Sequence, residues 1–294
     1  MREAASRLPL SAVLITLNAA AQLEACLASL AFADEILIVD SGSNDDTHAI
    51  AAQHGARIIE QVWLGFGPQK QFAVEEATHD WVLCLDADER VTPALRASIE
   101  ETLVAQSSPV EGQYCPMWRM ARANVFMGRI LRHGEGYPDW NLRLFDRRHA
   151  RWSNDPVHEH VVPLVAAAVA NQEGDAADVS EGRSVGTAAA AARLAKPAGT
   201  LRGDLLHESS ETLVTYLAKQ NRYTDLQAAQ LFAAGKHAGW ARIAFAPLVR
   251  FIKFYIVRLG FLDGIPGLVH ILIGCQNSMM KYAKLRDLYG GPGK

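Results

Sequence analysis

The sequence predicts an α/β fold in which a largely parallel sheet is covered by helices on both faces. Short β-branched and aliphatic runs alternate with segments of helical spacing through the first third of the chain, which is the rhythm of repeated βαβ units. Polar clusters follow several of the predicted strands, at the ends where such sheets bind ligands. With 294 residues, 49% of them hydrophobic, the chain can also bury a full core.

The individual elements follow from these runs in chain order. Residues 11–17 are an apolar run typical of a strand buried on both faces. The next apolar residues recur at the spacing of a helix: Leu23, Cys26, Leu27 and Leu30. The rest of this half is predicted as strands at 35–39, 56–60 and 81–85, and as helices ending near 52 and spanning 68–77 and 93–104.

The alternation weakens in the second half of the chain. Strand-like pieces at 114–120, 141–145 and 157–162 are expected to extend the sheet with an antiparallel section. Residues 165–196 hold almost no large apolar side chain, and we interpret them as a loop or insertion. Because a helix at 210–233 and a second helical segment follow, we predict a sheet-containing domain at 1–208 and an amphipathic helical region at 209–294.

Charge and cysteine content narrow the partners and the compartment. Residues 236–294 hold nine Lys or Arg and two Asp, which gives them a net charge of +7. Because the whole chain has a net charge of −3, residues 1–235 carry a net charge of −10. A basic, apolar C-terminal region favours an anionic membrane surface over nucleic acid, and no nucleic-acid motif accompanies it. The four cysteines show neither metal-finger nor CxxC spacing, which indicates a reducing compartment and a cytoplasmic protein.

Asp86 and Asp88 close the strand predicted at 81–85 and are the first candidates for a functional site. Because side chains alternate along a strand, the two carboxylates are expected to project to the same side about 7 Å apart. Oxygen ligands of this kind favour Mg²⁺ or Mn²⁺, ions that also bind diphosphates. The alternative is an acidic segment that precedes the helix at 93–104.

Asp40 makes the first interpretation more specific, because it ends a second strand of the same sheet. Thr16 and Asn18 lie at the end of the first strand, so these side chains are expected to share one edge with Asp86. A nucleoside and a metal-bound diphosphate both need polar groups at such an edge. The alternative for Asp40 is an Asx-turn or helix cap.

Four segments in this order resemble glycosyltransferase family 2, the inverting enzymes with the glycosyltransferase-A fold: SAVLITLN, ILIVDSGSNDDT, GFGPQKQFAVEEA and WVLCLDADE. The resemblance implies a nucleotide-diphospho-sugar transferase whose donor-binding residues are Thr16, Asn18, Asp40, Lys70 and Asp86. Where the family commonly has an Arg-Asn pair, this chain has Lys70 followed by Gln, which keeps the charge but not the planar guanidinium.

Further segments are similar to the lipopolysaccharide-core β-glucosyltransferase subgroup: YPDW at 137–140, VHE at 157–159, LLH at 205–207, NRY at 221–223, GFLDG at 260–264 and KYAKL at 281–285. The resemblance implies Glu159 as the catalytic base, with Asp139 as the competing candidate. It also implies Asp88 and His207 as ligands of Mg²⁺ or Mn²⁺.

Trp140 and Arg143 are expected on the acceptor side, because an indole can stack on a sugar and a guanidinium can bind an anion. The resemblance implies transfer of glucose from a UDP-glucose donor to a lipopolysaccharide inner-core sugar, a lipid-linked oligosaccharide acceptor. Another nucleotide-sugar, or a polyprenyl or other glycolipid acceptor, remains open. A nucleotidyltransferase would be expected to carry a glycine-rich phosphate loop after the first strand, and a non-catalytic sugar-binding membrane protein is a further alternative.

The second C-terminal helical segment carries one apolar stripe: Leu248, Phe251, Ile252, Tyr255, Ile256 and Leu259. Cationic residues flank this stripe, and no run reaches the roughly 18 to 20 apolar residues that span a bilayer. We therefore predict a membrane-associating extension that binds the inner face of the inner membrane peripherally. The alternative is that the stripe packs on the rest of the chain or on a second subunit.

Overall fold

The computed structural model describes residues 7–155, 159–164, 198–208 and 212–290. The chain divides into two compact units, each described separately below. The sheet unit comprises Met1–Arg122 and Trp140–Leu206, and the helical unit comprises Ala123–Asp139 and His207–Lys294. The sequence predicted a single boundary near residue 208. In the structure, the segment 123–139 also groups with the C-terminal helices.

The parallel half of the sheet contains β1 (Leu10–Thr16), β2 (Glu35–Asp40), β3 (Arg57–Glu60) and β4 (Trp81–Asp86). β1 lies in the centre and pairs in parallel with β2 and β4, while β3 pairs with β2. In this register Thr16 is opposite Asp40, and Ile15 is opposite Asp86. The carboxyl ends of the three strands therefore meet at one edge, as the sequence predicts.

Helices α1 (Ala20–Ser29), α2 (Thr47–Gln53), α3 (Phe66–Glu76) and α4 (Pro93–Ser107) accompany these strands. Two apolar clusters form the core, and alternate residues of β1 belong to each: Leu14 packs with α1 and α4, whereas Val13 packs with α3. This explains the continuous apolar runs, because each strand is covered on both faces. At the start of α4, Thr92 Oγ1 accepts a hydrogen bond from Leu95 N, so Thr92 is the N-cap.

The sheet continues with an antiparallel section. Its strands are β5 (Glu89–Val91), β6 (Met117–Phe126), β8 (Asp139–Asp146) and β11 (Gly199–His207), and the strand order is β3-β2-β1-β4-β8-β6-β11-β5. β4 and β8 run antiparallel, which confirms the expected mixed α/β sheet. A small separate sheet pairs β9 (Ala150–Trp152) with β10 (Val161–Pro163). The expected loop at 165–196 lies outside the described residues.

The acidic motif does not continue β4 as an extended strand. β4 ends at Asp86, Ala87 and Asp88 form a turn, and β5 begins at Glu89. The expectation of two carboxylates on one side of one strand is therefore wrong. The reason is hydrogen bonding inside the turn: Asp86 N donates to Glu89 Oε2 at 3.0 Å, which closes the chain back on itself.

The helical unit contains β7 (Arg129–Ile130) and helices α5 (Leu213–Ala233), α6 (Trp240–Phe251) and α7 (Gly264–Gly290). A π-helical turn (Ile252–Val257) and a 3-10 turn (Gly260–Asp263) separate α6 from α7. The sequence prediction of two C-terminal helical segments is wrong in number, because α7 is a separate helix. Pro266 lies in its first turn, where proline is compatible with helix.

No single helix within the described ranges is long and apolar enough to cross a bilayer. Taken together, the segments Trp240–Val257 and Gly260–Gly290 reach that length and composition, but they are bent by 74° at their junction.

Candidate active site at the carboxyl ends of the strands

Asp40, at the end of β2, has a fully buried carboxylate. It accepts hydrogen bonds from Thr16 Oγ1 at 2.7 Å, from Ser43 N at 2.7 Å and Oγ at 2.6 Å, and from Gly42 N at 2.9 Å. Burial alone would raise its pKa, but the donors on Ser43 and Thr16 outweigh burial and lower the pKa of Asp40 to about 2. In this conformation Asp40 shapes the loop after β2, and its contact with uridine stays a prediction.

Asn18 connects the ends of β1 and β2. Its backbone has a positive φ of 53°, a conformation that asparagine adopts more readily than most residues. Asn18 N donates to Ser43 Oγ at 2.8 Å, and Asn44 N donates to Asn18 Oδ1 at 2.9 Å. Thr16, Asn18 and Asp40 therefore belong to one hydrogen-bonded group, and their common role in donor binding stays a prediction.

Asp86, at the end of β4, lies between two cations. Lys70 Nζ is 3.1 Å from its Oδ1, and Arg143 Nη2 is 2.8 Å from its Oδ2. Burial would raise the pKa of Asp86, but Arg143 and Lys70 outweigh burial and hold it well below its usual range. Both Lys70 and Arg143 are buried, so the three charges form a fixed cluster.

Glu89 belongs to the same cluster, and sequence reasoning assigned it no role. Its carboxylate is fully buried and accepts hydrogen bonds from Arg143 Nη2 at 3.0 Å and from Asp86 N. Burial raises the pKa of Glu89, and the neighbouring Asp86 raises it further against the opposing effect of Arg143. Its place directly after the Asp-x-Asp motif was a signal for a role in the site.

Glu159 joins this cluster through Lys70, whose Nζ donates to Glu159 Oε1 at 3.0 Å. Its Cβ and the backbone of Ser153 lie against α3 at Gly67, where an added Cβ would be 3.5 Å from Glu159 Cβ and 2.4 Å from Ser153 O. Trp152 forms an aromatic wall, with Lys70 Nζ 4.9 Å from its ring centroid. The structure thus brings together Lys70, Asp86 and Glu159, which are far apart in sequence.

Arg143, which was expected on the acceptor side, pairs with the carboxylates of Asp86 and Glu89, and its acceptor role stays a prediction. It is buried, and its Nε has no hydrogen-bond partner within the described part of the chain. Trp140, three residues earlier on β8, is 44% exposed and stacks under the Arg119 guanidinium at 4.9 Å. Trp140 therefore offers an exposed aromatic face, whereas Arg143 is buried.

The described residues contain no group of three or more His, Cys, Asp or Glu side chains placed to hold a metal. Asp86 uses both carboxylate oxygens on Lys70 and Arg143, and Asp88 is the second carboxylate of the Asp-x-Asp motif. One carboxylate together with substrate phosphates is a set that Mg²⁺ accepts. The residues therefore fit a metal that a diphosphate helps to bind.

Two predicted site residues, Asp139 and His207, belong to the helical unit, whereas Asp88 and Glu159 belong to the sheet unit. His207 Nδ1 is 2.9 Å from Asn124 Oδ1, a contact that orients its imidazole. The metal role of His207 and the catalytic role of Asp139 stay predictions.

Comparison with known proteins identifies the family that this chain resembles. Residues 11–108 match the family model described as Glycosyl transferase family 2. A lipopolysaccharide core biosynthesis glycosyltransferase, LpsC of Rhizobium meliloti (strain 1021), is 31% identical over 95% of this chain and 92% of its own length. An uncharacterized glycosyltransferase of Rickettsia bellii (strain RML369-C) is 30% identical over 95% of this chain and 86% of its own length.

Among solved structures, the chain is similar to glucosyl-3-phosphoglycerate synthase from Mycobacterium tuberculosis in complex with Mn²⁺, UDP and glucosyl-3-phosphoglycerate. The identity is 25%, the TM-score is 0.32, and the match covers 38% of this chain and 43% of the synthase. A likeness of this size supports no conclusion about the ligands of this chain.

Proposed function

This chain belongs to glycosyltransferase family 2, and we propose that it transfers a hexose from a UDP-sugar to a lipopolysaccharide inner-core sugar. Glucose from UDP-glucose is the proposed donor. The similarity over nearly the whole length to a lipopolysaccharide core biosynthesis glycosyltransferase supports the acceptor class. The observation that carries the proposal is the charge cluster of Lys70, Asp86, Arg143 and Glu159 at the same sheet edge as Asp40.

The cluster fits the departure of a nucleoside diphosphate. An inverting transfer forms the bond from the acceptor oxygen to the anomeric carbon while the bond to the diphosphate oxygen breaks, so negative charge develops on the leaving group. Lys70 and Arg143 are buried cations held in place by Asp86. Because their positions are fixed before the reaction, they can stabilise that charge with little reorganisation. The unpaired Nε–H of Arg143 is a further donor for an anionic group.

Glu159 is the proposed base that takes the proton of the acceptor hydroxyl. Its side chain is 19% exposed, so an acceptor can reach it while it accepts a hydrogen bond from Lys70. The hydrogen bond from the Lys70 ammonium fixes the direction of the Glu159 carboxylate, which a general base requires. Asp139 remains the competing candidate.

A divalent cation, Mg²⁺ or Mn²⁺, is proposed to assist by neutralising charge on the diphosphate when it is bound. Asp88 and His207 stay the proposed ligands from this chain. Asp86 is assigned to donor binding through its two cations, because both of its carboxylate oxygens are already paired.

A lipid-linked acceptor implies that the enzyme works at a membrane. We propose a cytoplasmic protein that binds the inner face of the inner membrane peripherally, with the helical unit as its membrane-associating part. The exposed apolar side chains of α6 support this assignment, and the basic C-terminal charge supports it further.

A donor and acceptor screen tests the proposal. Purified protein with Mn²⁺ is expected to release UDP from UDP-glucose, and more rapidly with truncated core lipopolysaccharide than without it. A preference for another UDP-sugar, or for a polyprenyl-linked acceptor, would redirect the substrate assignment. Release of no UDP from any UDP-sugar, together with unchanged nucleotide binding in Asp88→Ala, would overturn the metal-assisted transfer.

A further inference from the structure

The junction between α6 and α7 exposes an unusual amount of apolar surface. We define the elbow as residues 240–265, which include α6, the π-helical turn and the 3-10 turn. Six of its apolar side chains are between 54% and 72% exposed: Trp240, Phe245, Val249, Ile256, Val257 and Ile265. Single exposed apolar residues are ordinary on protein surfaces, but such a concentration within one short segment indicates an interaction surface.

The bend of the elbow is built into the helical unit. Leu259 has a positive φ of 54°, which ends the preceding turn. At Gly260, an added Cβ would be 2.4 Å from Ile271 Cδ1 and 2.6 Å from Phe254 O, so only glycine allows the two arms to approach this closely. The 74° bend therefore follows from specific packing.

A buried carboxylate holds the elbow in this shape. Asp263 accepts hydrogen bonds from the backbone N–H groups of Arg132 at 3.1 Å and His133 at 2.8 Å, and its Oδ1 is 2.9 Å from His133 Nδ1. Gly134 N donates to Arg258 O at 2.9 Å. These contacts attach the corner to the segment 123–139. Straightening the two arms into one continuous span would break them.

Charge indicates which partner covers this surface. The elbow holds Arg242, Arg250, Lys253 and Arg258 against one acidic residue, the buried Asp263. Arg250 pairs with Glu135, but within the described ranges no carboxylate lies within 4.0 Å of the other three cations. A second copy of the chain would bring like charges together across a two-fold interface, whereas an anionic leaflet attracts them.

We infer that the elbow inserts its apolar side chains into the headgroup and acyl boundary of one anionic leaflet without crossing it. This inference deepens the proposed function, on which it rests for the lipid-linked acceptor, by assigning the residues that bring the enzyme to the lipid surface. Trp240, at the start of α6, has the amphipathic ring that favours the membrane–water boundary.

Vesicle flotation of the full chain tests the inference, with vesicles of phosphatidylcholine alone and of phosphatidylcholine with phosphatidylglycerol. The test variant carries Ile256→Ser and Val257→Ser. The matched control carries Leu226→Ser and Val214→Ser on α5: Leu226 is 55% exposed against 54% for Ile256, and Val214 is 78% exposed against 70% for Val257. UDP release with a soluble truncated acceptor is measured in parallel for each protein.

We expect the wild-type chain and the control to float with the anionic vesicles and to bind phosphatidylcholine more weakly. The test variant is expected to bind the anionic vesicles about tenfold more weakly, because two apolar side chains no longer leave water, while its UDP release with the soluble acceptor is kept.

Equal binding by the test variant and the wild-type chain would overturn the role of the elbow. If the wild-type chain binds no vesicles but still releases UDP, the membrane-binding role of the elbow would be overturned and the proposed transferase activity would be unaffected. A wild-type dimer that the test variant converts to monomer, without vesicle binding, would assign the surface to a second copy.

Discussion

Asp40 and Asp86 end two strands that both flank β1, yet they are stabilised in different ways. Asp40 accepts hydrogen bonds mainly from its own loop and from the neighbouring Thr16. Asp86 is held by two cations, Lys70 from α3 and Arg143 from β8. The first carboxylate organises a turn, and the second organises a charge cluster that can respond to an anionic ligand.

This difference suggests that Asp40 has a structural role in the site and that the cluster around Asp86 takes part in the reaction. Backbone and hydroxyl donors hold Asp40, with His48 Nε2 3.0 Å from its Oδ1, and no lysine or arginine of the described residues pairs with it. The cations around Asp86 are shared with Glu159 and Glu89, so a bound diphosphate can compete for them. Substitutions of Lys70 and Glu159 are therefore expected to change chemistry, and a substitution at Asp40 is expected to change stability.

The largest effect is expected at Glu159. Glu159→Gln removes the proposed base while keeping its size, and kcat is expected to fall about 1000-fold with little change in KM for UDP-glucose. Steady-state UDP release measures both constants. Asp139→Asn is the competing variant: if it loses more activity than Glu159→Gln, the base lies in the helical unit.

Glu89→Ala is expected to destabilise the fold by about 3 kcal/mol, because Arg143 would keep its charge in a buried site with one partner removed. Urea denaturation measures the loss. Glu89→Gln retains an acceptor oxygen and is expected to lose less. Equal unfolding midpoints for Glu89→Ala and the wild-type protein would show that the Glu89–Arg143 pair contributes nothing to stability.

Lys70→Met is expected to lower kcat about 100-fold, since one fixed cation near the leaving diphosphate is removed. Lys70→Arg restores the charge with a different shape and is expected to recover part of that loss. We expect Lys70→Met to have a large effect on kcat and only a small effect on the midpoint of unfolding. A variant that unfolds readily but turns over normally would place Lys70 among the structural residues.

Asp40→Asn is expected to cost about 2 kcal/mol of stability at neutral pH, from the difference between a pKa of about 2 in the folded protein and an ordinary value near 4 when unfolded. Since the folded pKa is the lower one, this contribution is complete above about pH 4 and is lost as the pH falls toward 2. Urea denaturation of both proteins across this range measures it. A difference that stays constant with pH would show that charge on Asp40 is not its source.

Sequence periodicity predicted the parallel half of the fold well, because strands buried on both faces and their helices each show an apolar pattern within a short stretch of sequence. The turn at Ala87 and Asp88 was missed, since it depends on the backbone of Asp86 bonding to Glu89. The pairing of Arg143 with Asp86 was missed for another reason. It joins residues on β8 and β4, and no spacing within either strand reports a contact between strands.

The helical unit shows the same limit. The apolar stripe and its flanking cations were visible in the sequence, but the sharp bend between α6 and α7 depends on Gly260 packing against Ile271 and Phe254. A helical pattern with scattered glycines gives no sign of such a tertiary contact. The exposed surface of the elbow therefore follows from the fold rather than from the stripe alone.

The anomeric configuration of the product tests the central claim most directly. Purified protein, UDP-glucose, Mn²⁺ and truncated core lipopolysaccharide are incubated, and the linkage of the transferred sugar is determined by NMR. A single displacement assisted by Lys70, Arg143 and Glu159 predicts a β-linked glucose and one UDP released for each sugar transferred. An α-linked product, or transfer that continues unchanged in Glu159→Gln and Lys70→Met, would contradict it.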